Sequence, residues 1–398
     1  MQVKIEKMDY KGRRITHINN KVIFVDKAVT EDILDIEITK EYKKYDEAKI
    51  KKIVKPSIYR THALCPFYNT CGGCSIQNLN YENTLKYKKS AIIEIFKGKG
   101  FEIEPIFISN KSPLYYRNKI ELQICDKKVG FYEKKTNDIV EISRCITSSK
   151  IINEIIKIIP SLNIINGKVI IRSNKKEDVL IIINSKDNLK IDLDNIKNNR
   201  NIVGVILNNK TIYGRNYLIE NINDLSYKIS YDSFFQINPY IASRLFSIIK
   251  DNINKGEKVL DLYCGVGTLS LNASLNASEV LGIEVIPNAI LNANYNAKKN
   301  NITNTKFILG DVNDIVGGIS KKIDTIILDP PRSGISNKVI SLLKSTRPNK
   351  IIYVSCNPLT LVRDLDNIKD IYILERIYLL DMFSYTYHIE CVVILYQK

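Results

Sequence analysis

At 398 residues the chain is long enough for two or three domains, and its 44% hydrophobic residues place it among globular proteins rather than disordered ones. A formal net charge of +16 favours a polyanionic partner, most often nucleic acid, although solvated lysine surface gives the same balance. No apolar run reaches the ~20 residues of a membrane span, and charges fill the N-terminus where a signal peptide needs an apolar core. A cytoplasmic protein is expected, in which the eight cysteines serve as ligands, nucleophiles or small core residues rather than disulfides.

Residues 1–57 read as short alternating strands, among them Lys21-Val22-Ile23-Phe24-Val25 and Asp35-Ile36-Glu37-Ile38-Thr39, and predict a small β-barrel. Between Lys40 and Arg60 eight basic residues stand against three acids, with Tyr42, Tyr45 and Tyr59 interleaved. That mix tracks a phosphate backbone and stacks bases, or else is a solvated barrel edge. A cysteine-rich loop, a helix around Leu85 to Lys97 and a strand-rich stretch make up residues 58–230, where the Ile, Asn and Lys text of 151–223 carries no legible function. From 231 to 398 apolar strands alternate with helical patterns, the signature of a doubly wound α/β domain. Its strands are predicted at Lys258 to Tyr263, Glu279 to Glu284, Thr305 to Leu309, Thr325 to Asp329, Ile351 to Ser355, Tyr372 to Leu374 and Cys391 to Tyr396.

In the middle region, Cys65, Cys71 and Cys74 form Cys-x5-Cys-Gly-Gly-Cys, with Cys145 as a distant fourth. Four thiolates, with Gly72 and Gly73 letting amides turn toward sulfur, suit a [4Fe-4S] cluster ahead of zinc, whose paired Cys-x2-Cys knuckles are missing. In the α/β domain the first strand runs into Asp261-Leu262-Tyr263-Cys264-Gly265-Val266-Gly267-Thr268. Gly265 and Gly267 let the backbone approach a ligand at a helix N-terminus, and Glu284, ending the next strand, is placed for two ribose hydroxyls. A nucleoside-containing cofactor is implied; Ser270, where the dinucleotide fingerprint wants a third glycine, disfavours a dehydrogenase. Further on, Asp329-Pro330-Pro331-Arg332 closes one strand and Cys356 another, so a carboxylate and a thiol face one crevice.

The Asp-x-x-Cys-Gly-x-Gly loop resembles class I S-adenosylmethionine methyltransferases. Three further segments resemble the RNA uracil-C5 methyltransferases: Asp329-Pro330-Pro331-Arg332-Ser333-Gly334, Ser355-Cys356-Asn357-Pro358-Leu359-Thr360 and Asp381 through Glu390. With the cysteine motif and a basic barrel similar to a TRAM domain, the resemblance covers essentially the whole chain and narrows to the branch acting on 23S ribosomal RNA. It implies a Rossmann-like catalytic domain at 231–398, a TRAM barrel of OB-like form at 1–57 and a central domain at 58–230 holding the cluster. It also implies that the helix near 85–97 packs on the catalytic domain. Gln236, Tyr263, Thr268, Glu284, Asp311 and Asp329 would line the cofactor site, Cys356 would add to C6 of uracil, and Glu390 would remove the C5 proton. The target uridine would be single-stranded or flipped, the protein a monomer, and His388 a positioning group. Ser384 and Tyr385 stand where that family usually has Pro and His, and the turn Lys11-Gly12-Arg13-Arg14 is poorer in glycine. A transfer-RNA substrate, or a non-enzymatic RNA-binding assembly role, is the alternative.

Overall fold

A computed structural model describes residues 1–398 apart from 188–190, 192 and 320–321. The first unit is a six-stranded sheet of Gln2–Lys4, Lys7–Met8, Arg14–Ile18, Lys21–Val25, Ile33–Glu41 and Tyr45–Lys55. Gln2–Lys4 pairs with one edge and Lys7–Met8 with the other, so a single N-terminal segment closes the sheet into a barrel. Register shifts along the pairing of Ile33–Glu41 with Tyr45–Lys55 give the curl that closure needs. Alternate side chains, Ile23, Val25, Leu34, Ile36 and Ala48, fill its interior. The predicted strand over 21–25 is found with those bounds, and the one over 35–39 lies within Ile33–Glu41.

The middle of the chain forms a seven-stranded mixed sheet, from Lys119–Cys125 to Lys210–Gly214, covered by the helix Lys150–Ile158. Runs such as Val179–Asn184 are buried on almost every residue, which explains their lack of alternation. The hairpin Tyr217–Ile222 and Leu225–Ser230 follows and packs into the core of the last unit.

That last unit is an eight-stranded sheet in the order Thr305–Leu309, Glu279–Glu284, Lys258–Leu262, Thr325–Leu328, Lys350–Ser355, Glu390–Gln397, Tyr372–Leu380 and Ile106–Ile108. The first five run parallel, and Glu390–Gln397 lies antiparallel between Lys350–Ser355 and Tyr372–Leu380. Successive strand residues feed two cores on opposite faces: Val259 packs with Phe246 and Leu271, Leu260 with Phe96 and Leu343. Tyr372–Leu380 runs six residues beyond its predicted end, because a register shift between Leu374 and Arg376 lets the strand continue past exposed Glu375 and Arg376. Among the described residues no helix is long and apolar enough to cross a membrane.

The helix Tyr81–Lys97 lies against this sheet, with Ile92 and Phe96 in its core, and Ile106–Ile108 extends the sheet edge. Asn80 caps the helix by accepting from Asn83 N–H at 2.9 Å. On its buried face Lys88, 1% exposed, donates to Asp381 Oδ1 at 2.5 Å and to the Phe383 carbonyl at 3.0 Å. Burial pushes the Lys88 amine down, and Asp381 pulls it back up.

A buried charge that loses its partner costs far more than the pair is worth. Lys88→Ala should therefore lower stability by about 3–5 kcal/mol, read as the urea midpoint. Lys88→Met with Asp381→Asn should recover most of that loss; an equally large loss in the double variant would mean that shape, not charge, matters here.

Candidate active site

The strand Lys258–Leu262 ends in a turn where Tyr263, Gly265 and Gly267 take φ of 70°, 55° and 83° before the helix Thr268–Ser274. A Cβ at Gly267 would sit 3.1 Å from Phe307 and 3.2 Å from Ala293, whereas at Gly265 nothing lies within 4 Å, so there the backbone is open to a ligand. Glu284 is pinned beside it: Oε2 accepts from Gly265 N–H at 3.0 Å, and Oε1 from Val285 and Ile286 N–H at 2.8 and 2.9 Å. Ser270, in place of a third glycine, donates to buried Asp261 at 2.5 Å, which fastens the helix start to the strand beneath it. Asp311 caps the short helix Val312–Ile315 at the end of the neighbouring strand.

A cavity of about 1120 Å³ opens over this turn. It is lined by Gln236, Tyr263, Gly265, Thr268, Glu284, Asp311, Asp329, Cys356 and Glu390; of the cofactor and catalytic candidates, Gly267 alone shapes the turn without lining it. Cys356 follows the strand Lys350–Ser355, and Glu390 opens the strand Glu390–Gln397. Their antiparallel register pairs Ser355 with Cys391 and so sets Cys356 beside Glu390. Asp329 ends the strand on the other side of Lys350–Ser355.

Burial raises all three groups. Glu390, 4% exposed, is held well above the usual carboxylate range by desolvation and the Asp329 charge, with Arg332 opposing. Burial pushes Asp329 up to about 7. The Cys356 thiol is raised by burial and then by Glu390, while Arg332 lowers it through its charge and a hydrogen bond. A half-buried thiol, a half-buried carboxyl and a buried one, with one guanidinium among them, form a site suited to moving protons at a reacting carbon.

The loop 381–389 that leads into Glu390 is anchored from elsewhere in the chain. Tyr81 OH and Ser384 Oγ donate to Asp381 Oδ2 at 2.7 and 2.5 Å. The Asn110 amide donates to the Asp381 carbonyl at 2.8 Å and to Ser384 Oγ at 2.6 Å, and its carbonyl oxygen accepts from Asn238 at 2.9 Å. Asn118 holds the segment with Gln236 through its backbone N–H to the Ile237 carbonyl at 2.9 Å. Ser384 is thus a buried member of this network, and the Tyr385 carbonyl accepts from Ser75 and Ile76 N–H at 3.1 and 3.2 Å. His388 is pushed down to about 4 by burial and nearby Arg332, Lys88 and Arg117, so it is a neutral ring at physiological pH. Lys88, Asn110 and Asn118 were not marked by the sequence, where each reads as a surface residue.

Cys65, Cys71, Cys74 and Cys145 line a separate cavity of about 270 Å³, with Tyr116, Arg144 and Thr386. Burial raises the Cys65, Cys71 and Cys74 thiols, Cys74 to about 12, and Gly73 N–H donates to Cys71 Sγ at 3.3 Å. Among the described residues no three Cys, His, Asp or Glu side chains are gathered tightly enough to hold a metal ion.

Residues 80–398 match the family described as tRNA (Uracil-5-)-methyltransferase. An uncharacterized RNA methyltransferase of Bacillus cereus is 31% identical over all of this chain and 96% of its own length. One from Aquifex aeolicus is 32% identical over all of this chain and 99% of its own. Among solved structures, the tRNA (uracil-54, C5)-methyltransferase of Pyrococcus abyssi in complex with S-adenosyl-L-homocysteine superposes with a TM-score of 0.84 at 26% identity, covering 99% of this chain and 100% of that one. With the cavity above the glycine turn and the thiol and carboxyls that line it, these likenesses lead to one conclusion: the chain belongs to the family of S-adenosylmethionine-dependent RNA uracil-5-methyltransferases.

Proposed function

We propose that the protein methylates C5 of a uridine in 23S ribosomal RNA, with Cys356 as nucleophile and Glu390 as base. The observation that carries this reading is the meeting of Cys356, Glu390 and Asp329 in the cavity that begins at the glycine turn. The open backbone at Gly265, the pinned Glu284 and the polar groups of Gln236, Thr268 and Asp311 fit S-adenosylmethionine, which supplies an electrophilic methyl group. Uracil C5 is a weak nucleophile. Addition of the Cys356 thiolate to C6 places the electron pair on C5, which takes the methyl. Glu390 then accepts the C5 proton, the C5–C6 double bond re-forms, and the thiolate leaves. Asp329, raised to about 7 by burial, is suited to a hydrogen bond with the base.

In the same reading Cys65, Cys71, Cys74 and Cys145 hold a [4Fe-4S] cluster, supported by their number and by their lining one cavity. In this reading residues 1–57 are a TRAM barrel that grips RNA, 58–230 the cluster-bearing and RNA-binding region, and 231–398 the methyltransferase; the protein acts as a cytoplasmic monomer. The basic strand Tyr45–Lys55, with Lys49, Lys51, Lys52 and Lys55 exposed, supports the grip. Transfer RNA is the second reading, favoured by the likeness to the Pyrococcus enzyme.

Cys356→Ala should form no adduct and methylate nothing. Glu390→Gln should transfer the methyl and then stall, slowing turnover about 10²- to 10⁴-fold and leaving a denaturation-resistant complex with RNA. Methylation by Cys356→Ala would sink the covalent route, and label entering transfer RNA but not 23S RNA would change the substrate.

Both the thiol and Glu390 act deprotonated, and both are raised, so low pH holds them inactive. The single-turnover rate should therefore rise with pH; a rate highest at the acid end contradicts the assignment. Anaerobically purified protein should contain iron and acid-labile sulfide in equal amounts, and one zinc without sulfide would overturn the cluster.

A further inference from the structure

A second cavity, of about 220 Å³, meets the large one at Arg332 and Cys356 and extends from there to the barrel and the helix Tyr81–Lys97. Its walls carry Tyr10 and Lys11 from the barrel, Tyr87 from the helix, and Tyr387 and His388 from the loop before Glu390. No carboxylate lines it; Asp329, Glu390 and Gln236 all face the large cavity. A uracil bonded to Cys356 with C5 toward the methyl donor would occupy the large cavity, and the second cavity, joined to it at Arg332 and Cys356, offers the attached strand a path out.

We propose that this second cavity is a binding site for the base of the nucleotide adjoining the target uridine, stacked on Tyr387 and His388, with its phosphate between Lys11 and Arg332. The proposal rests on Cys356 being the nucleophile. The Tyr387 and His388 rings lie 4.1 Å apart at 34°, and the uncharged His388 ring packs on Phe383 at 5.7 Å, so an aromatic platform is already assembled. Lys11 lies over the Tyr10 ring at 5.5 Å. The barrel turn that presents both is fixed: Asp9 Oδ1 accepts from Lys11 and Arg13 N–H at 3.0 and 2.8 Å, and Gly12 N–H donates to Tyr87 OH at 2.9 Å. Gly12, at φ +72°, seats the turn closely, since a Cβ there would lie 3.4 Å from Ile76 and 3.5 Å from Tyr387. The cavity brings Lys11, Arg332 and the Tyr387 and His388 rings up to Cys356. Stacking tolerates any base, so the site selects an unstacked strand rather than a sequence.

The test uses equilibrium binding of Cys356→Ala protein to a short RNA carrying the target uridine, and to the same RNA made abasic at the nucleotide on either side. Removing one neighbouring base should weaken binding about 5- to 100-fold, the range for one stacked base. Tyr387→Ala and, separately, Tyr10→Ala should weaken binding of intact RNA but leave the abasic RNA unchanged, with S-adenosylmethionine affinity kept as the sign of an intact fold. Equal binding of intact and both abasic RNAs, or equal losses on intact and abasic RNA in the variants, would overturn the proposal. Wild-type protein is also incubated with RNA containing 5-fluorouridine. If no adduct forms, the assignment of Cys356 fails first, and the neighbouring site with it.

Discussion

The site depends on one reversal of strand direction. If Glu390–Gln397 ran parallel to Lys350–Ser355, its first residue would lie at the far end of the sheet from Cys356. Running antiparallel, it brings Glu390 to the end where Lys350–Ser355 delivers its thiol and Thr325–Leu328 its carboxylate. In a parallel sheet ligands gather at the carboxyl ends of strands; here the amino end of one strand joins them. The strand is buried on both faces, with Val392 and Ile394 in one core and Val393 and Leu395 in the other.

Reversal alone leaves the approach to Glu390 as a loop, and loops wander unless something holds them. The holding comes from Lys88 and Tyr81 on one helix, Asn110 after the edge strand, and the backbone of Ser75 and Ile76. The charge in this network is sealed from water, so it confers direction on the loop more than stability on the fold. Around the reacting groups the balance is different. Asp329 and Glu390 share one cavity with Arg332, while Lys49, Lys51, Lys52 and Lys55 stand exposed on a barrel strand.

The α/β unit was legible in the sequence because its strands are short apolar runs punctuated by Gly, Pro and Asp. Glu279–Glu284 and Thr305–Leu309 have the predicted bounds, and the Cys356, Asp329 and Glu284 positions follow from strand ends alone. The seven-stranded sheet was not legible as a whole, since strands buried on both faces lose the alternation that distinguishes them from helix. Lys88 could not have been found from one sequence: on an amphipathic helix a lysine reads as solvent-facing, and only the fold reveals an aspartate about three hundred residues away. The cavity next to Cys356 was equally hidden, being made by a barrel turn, a helix and a loop that share no local pattern.

The contacts of Tyr81 and Lys88 with Asp381, and of Ser75 with Tyr387, bear on how the molecule is made. They join segments separated by 300, 293 and 312 positions, among the longest loops this sequence can close. During synthesis the helix Tyr81–Lys97 emerges long before the strands whose core it enters, and its apolar face must wait uncovered. The loop 381–389 takes its shape only when early and late segments meet, so the surroundings of Glu390 are among the last parts of the structure to form.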